Sequence, residues 1–117
     1  MKQYMAVFLG SPDAVAKERA TADEASKQRM REGMMAWGKW VEDHKAAIVN
    51  GGSPLGKTMK VDKSGISPTR NDMGAWIVVQ AESHEEAAKM FEGHPHYTIF
   101  PGDRIEVMEI IPIPSMN

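Results

Sequence analysis

The chain has 117 residues, no cysteine, and 14 basic against 16 acidic side chains, for a formal charge of −2. That length fits a single domain spanning residues 1–117, with enough apolar content for a core. The missing thiols exclude disulfides and thiol catalysis and suit a reducing, cytoplasmic setting. No basic stripe interleaved with aromatic residues points to nucleic acid, and no run approaches the ~18 apolar residues that would cross a membrane.

Residues 2–9 (KQYMAVFL) alternate, with Met5, Val7 and Leu9 on one side and Tyr4, Ala6 and Phe8 on the other. Both sides are apolar, so a strand covered on two faces is expected rather than a signal peptide. Residues 10–22 read as a polar connection with one short turn after Pro12. Thr21 and Glu24 then form a T-x-x-E capping box ahead of a long helix. Its apolar stripe is Met30, Met34, Trp37, Val41 and Ile48, flanked by Gly33, Trp40 and His44, and it should end near Ala46 or Ala47. The ten methionines are expected to serve as adaptable core filler.

A second strand leads into Gly51 and Gly52. KTMKV followed by DKSG reads as a hairpin arm and its bend, and AWIVVQA at 75–81 is the clearest strand. Ser83 and Glu86 make a second capping box, opening a short helix that stops at Gly93. The last strand should run over residues 104–111, ended by Pro112 and Pro114. The order β-α-β-(hairpin)-β-α-β predicts an α+β, ferredoxin-like domain, an antiparallel sheet with both helices on one face. Helices on one face leave the other apolar face in need of a partner.

Residues 51–58 (GGSPLGKT) match G-x-x-x-x-G-K-[ST], the pattern of a phosphate-cradling loop. Such a loop needs a helix directly behind it, with its N-terminus on the phosphates. TMKVDKSGISP holds β-branched residues, a turn and a proline instead, and Pro54 removes one backbone donor. No nucleotide binding is expected.

The strand KQYMAVFLG, the helix end MMAWGKWVEDH, the G-G-x-P-L segment, the GAWIVVQAESHEEAAKMFEGHPH block and the closing IEVMEIIPIP succeed one another in an order that resembles the YCII-related (DGPF-type) domain family. The resemblance covers nearly the whole chain except residues 11–22. It implies a homodimer of the dimeric α/β barrel type, in which two sheets face each other with helices outside. For some members it also implies a His–Asp pair along the long helix. Here Met34 or Met35 stands at the early position, and Asp43 and His44 lie near the end. In place of D-G-P-F the chain has Asn71-Asp72-Met73-Gly74.

Gly93-His94-Pro95-His96-Tyr97 is the richest stretch for chemistry. Imidazoles at i and i+2 of an extended chain would point the same way, roughly 6–7 Å apart. With no third ligand at a recognisable spacing, no metal site is expected. Acid–base work near neutrality suits the pair better. His94 is then the candidate acid or base, with His96 or Asp103 orienting it and no organic cofactor. Candidate ligand contacts are Trp37, Trp40 and His44 on the helix and Gly52 and Pro54 in the G-G-x-P-L segment. The expected function is binding of an unidentified small molecule, either as an acid–base enzyme of the isomerase, cyclase or lyase type or as a non-catalytic dimer.

Overall fold

In the computed structural model, which describes residues 1–21 and 23–114, the chain enters through β1 (Lys2–Leu9) and crosses α1 (Pro12–Thr21) and α2 (Glu24–His44). It returns through β2 (Ile48–Pro54), makes a hairpin of β3 (Thr58–Asp62) and β4 (Gly65–Thr69), and runs back as β5 (Met73–Ala81). Two short helices, α3 (His84–Lys89) and α4 (Pro95–Thr98), precede β6 (Arg104–Glu109). Four strands form one antiparallel sheet in the order β2-β5-β1-β6, the ferredoxin-like arrangement, with the helices on one face.

The central register decides which residues reach the core. Tyr4 lies opposite Val79, Ala6 opposite Ile77 and Phe8 opposite Ala75, so these side chains share a face. They are packed under the helices with Trp40, Ala87 and Phe91. Met5 opposite Val78 and Met108, and Val7 opposite Trp76, lie on the other face. Tyr4 and Phe8 therefore do not accompany Trp76 and Val78. Pairing residues by direct opposition on neighbouring strands sorts them, and alternation along one strand does not.

Several expectations are corrected. The segment after Pro12 is a ten-residue helix, α1, not a turn within a loop. The N-cap of α2 is Asp23, whose carboxylate accepts the Ser26 amide at 2.7 Å, while Thr21 ends α1. The helix ends at His44, two residues before the expected region. Its buried residues are Ser26, Gly33 and Trp40, with Trp37 and His44 half-buried, whereas Met30, Met34 and Val41 are exposed. The cause is at Gly33, where the Phe100 ring lies so close that any side chain would strike it. That contact turns the small residues inward and the methionines out. Seven of the nine described methionines are exposed, so core filler is not their main use.

Ser83 caps α3 by accepting the Glu86 amide at 3.1 Å, as the capping box implied, and Gly93 (φ +67) makes the left-handed turn behind the helix. β6 ends at Glu109 rather than at residue 111, although the Ile110 amide still donates to Gln3. The arm β3–β4 is a separate two-stranded sheet joined to the body through β2 and β5. The segment after Gly56-Lys57 is thus a strand. The helix N-terminus that a phosphate loop requires does not stand there.

Candidate functional site

His94 sits at the turn that starts α4. Pro95 at the first helical position has no amide hydrogen to satisfy, and His94 caps the turn by accepting the His96 amide on Nδ1 at 3.0 Å. The backbone here bends at once, so the two imidazoles are not carried by an extended chain as the i, i+2 spacing suggested. An acceptor at Nδ1 fixes the ring proton on Nε2. That Nε2 is buried without a hydrogen-bond partner, and the residue as a whole is 0 % exposed.

The surroundings explain why no oxygen reaches it. Trp37 packs edge-on at 4.5 Å between centroids, Trp40 at 4.9 Å, Phe8 at 5.2 Å and Phe91 at 6.0 Å. Leaving such a donor unpaired costs about 1–3 kcal/mol. Burial, reinforced by the neighbouring charges of His96 and His44, lowers the His94 pKa from 6.5 to about 4. At neutral pH this imidazole is uncharged and enclosed.

The other imidazoles are also tied to the backbone. His96 is half-buried beside Phe8, and its Nε2–H donates to the Leu9 carbonyl at 2.9 Å, leaving Nδ1 as the lone-pair nitrogen. Gly102 lies against His96 so tightly that a Cβ would run into its ring and carbonyl. His44 donates from Nδ1 to the Trp40 carbonyl at 2.8 Å and stacks on the indole at 4.4 Å. His84 donates to the Val107 carbonyl at 2.7 Å and stacks on Tyr4. Trp40 Nε1–H reaches the Met90 carbonyl at 2.8 Å.

The structure thus brings Trp37, Trp40, His44, His94 and His96 into one aromatic cluster under the sheet. It does not bring Asp103 to His94. The Asp103 carboxylate is exposed and accepts the Arg104 guanidinium at 2.6 Å, and Arg104 also spans to Glu106 at 2.7 Å. Those two carboxylates, Glu106 first, raise the guanidinium pKa. The expectation that Asp103 orients His94 is corrected, since the group on His94 Nδ1 is the His96 amide. Asp43 is held by Lys39 at 2.8 Å, which lowers its pKa. Gly52 and Pro54 lie on edge strand β2, where Pro54 faces Ala75. At Gly52 (φ +70) a Cβ would collide with the Trp76 carbonyl, so this glycine serves the irregular β2–β5 pairing.

A cleft of about 370 Å³ opens between α3, α4 and β6, lined by Phe91, Tyr97, Asp103, Arg104, Ile105 and Val107 among others. None of the imidazoles lines it. Among the described residues, no three His, Cys, Asp or Glu side chains converge as metal ligands. No helix among them is long and apolar enough to cross a membrane. The enclosure of His94 by Phe8, Phe91 and Phe100-backed Trp37 was not read from the sequence. Its one local signal was His-Pro after a helix-ending glycine, a cap followed by proline at the first helical position.

No family model matches the chain, and no curated protein does. Among solved structures, the chain is similar to 5-chloro-2-hydroxyhydroquinone dehydrochlorinase (TftG) from Burkholderia phenoliruptrix AC1100, in complex with 2,5-dihydroxybenzoquinone. The identity is 18%, over 90% of this chain and 89% of that one, with a TM-score of 0.54. At this identity the likeness shows the fold.

Proposed function

We propose that the chain is a small-molecule-binding protein of the YCII-related kind, working as a homodimer whose two sheets face each other and enclose an apolar, planar ligand. The observation that carries this reading is the helix-free face of the sheet. Met5, Val7, Trp76, Val78 and Met108 stand together there; Met108 is exposed, Met5 and Trp76 are half-buried, and Val7 and Val78 are buried between them. Gln3, opposite Gln80, and Glu106 bound the apolar centre with polar groups on the same face. A surface of this kind is characteristic of a binding face. A second copy related by a two-fold axis offers the matching surface.

The commitments of the imidazoles favour binding over acid–base turnover. Each of the four has a ring nitrogen bonded to a backbone group, and His94 is uncharged at neutral pH. A catalytic reading rests on His96, which is half-buried and keeps its Nδ1 lone pair for a proton. The ligand of the similar fold, 2,5-dihydroxybenzoquinone, is a planar probe of suitable size. Calorimetry with that quinone on the wild type and on Trp76→Ala tests the reading. Saturable binding, weakened about tenfold or more in the variant, is the expected result, since stacking on an indole is worth about 0.5–1.5 kcal/mol beyond its area. Equal binding by both proteins, or none at millimolar quinone, would overturn it.

A further inference from the structure

The arm β3–β4 is amphipathic, and its pattern is unrelated to the ligand question. Val61 lies opposite Ile66 and Met59 opposite Pro68, so all four share one face. Lys60 opposite Ser67 and Thr58 opposite Thr69 make the other face polar. Val61 is 72%, Ile66 70% and Met59 58% exposed, so nothing among the described residues covers the apolar side. An isolated two-stranded hairpin is marginal in water. This one is nevertheless built with a tight bend, in which Asp62 accepts the Ser64 amide at 2.8 Å and Gly65 takes φ +113.

The overall dimensions point the same way. The radius of gyration is 16.4 Å and the extents are 59 × 43 × 18 Å. A compact chain of this length would have a radius of roughly 13 Å. Such a slab with a projecting arm has the shape of a subunit rather than of a free-standing globule. Area gives the second argument. The helix-free sheet face is about 19 Å by 20 Å in projection, roughly 400 Å², at ordinary strand spacing and rise. A stable dimer covers about 800 Å² on each partner. In projection the sheet face is about half of that figure, and the arm adds roughly 160 Å² of apolar surface to it.

We infer that the apolar face of the β3–β4 arm, formed by Met59, Val61, Ile66 and Pro68, clasps a second copy of this chain. The inference rests on the dimer reading above and adds a part that the sheet face does not supply. The Thr side chains of a Val61→Thr/Ile66→Thr variant keep the strand preference of the arm while removing its apolar contact.

Sedimentation equilibrium on the full-length wild type, on Val61→Thr/Ile66→Thr and on the polar-face variant Lys60→Ala/Ser67→Ala tests it. The wild type should be a dimer. The apolar-face variant should dissociate at least about tenfold more readily with unchanged far-UV circular dichroism, and the polar-face variant should match the wild type. A monomeric wild type would overturn the dimer reading itself. A dimeric wild type with equal dissociation by the apolar-face variant would overturn the clasp alone. Equal weakening by both variants would overturn it too, by showing that disturbance of the arm rather than loss of its apolar face is responsible.

Discussion

Acidification should destabilise this protein through His94 before Asp23 and Asp43 take part. The ring titrates at about 4 in the folded chain against 6.5 in the unfolded one. Above pH 6.5 both states hold a neutral imidazole, so its contribution to stability is intact. As pH falls from 6.5 to 4, the unfolded chain binds the proton and the folded chain does not, so stability falls. At about 1.4 kcal/mol per unit, the 2.5-unit difference gives a loss of about 3 kcal/mol across that window, after which the effect levels off. Asp23, lowered by the Ser26 amide, and Asp43, lowered by Lys39, also lose their contributions on acidification, but below their ordinary value of 3.8.

The variant that isolates the effect is His94→Asn. Asparagine is a good N-cap and can still accept the His96 amide, but it does not titrate. At neutral pH it should cost about 1–3 kcal/mol for the imperfectly filled space among Trp37, Trp40, Phe8 and Phe91. Urea denaturation followed by circular dichroism, at fixed protein concentration and ionic strength, gives stability at each pH. Between pH 6.5 and 4.5 the wild type should lose about 1 kcal/mol per unit more than His94→Asn. Parallel pH dependences of the two proteins would refute the enclosed, neutral imidazole.

Gly52→Ala places a methyl group against the Trp76 carbonyl at positive φ, and should cost about 2 kcal/mol or more in thermal or urea unfolding. Lys57→Ala, at an exposed loop position ahead of β3, should leave stability within about 0.5 kcal/mol, and calorimetry should detect no ATP binding by either protein. Saturable ATP binding lost in that variant would contradict the loop geometry. Ile111 and Ile113 are 74% and 92% exposed beyond β6, so deleting residues 112–117 should weaken self-association measured by sedimentation.

The order of strands and helices was legible because alternation, capping boxes and glycine stops are local signals. Tyr4, Ser83 and Gly93 each announce their place within a few residues. The features that escaped depend on contacts across the chain. The rotation of α2 is set by Phe100 meeting Gly33, some 67 positions apart, and no periodicity of the helix itself records it. The apolar stripe through Met30 and Met34 consequently misled. Asp23 displaced Thr21 as the cap because α1 claims Thr21, and a polar segment of low amphipathicity gives little sign of being helical. At the candidate site the residue types were visible but their roles were not. The His94–Pro95 turn replaces an extended segment, and enclosure by rings from β1, α2 and the turn after α3 makes the imidazole neutral. Burial of that kind is a property of the assembled core.

Light scattering coupled to size-exclusion chromatography on the wild type and on Met108→Lys addresses the helix-free sheet face directly. Met108 stands opposite Met5 on that face and is exposed in the single chain. Two chains of 13.0 kDa should give the wild type a mass of about 26 kDa at micromolar concentration, and a charge at Met108 should return it to 13.0 kDa with its circular dichroism retained. A wild type of 13.0 kDa, or a Met108→Lys protein that stays at twice that mass, would contradict a dimer closed over this face.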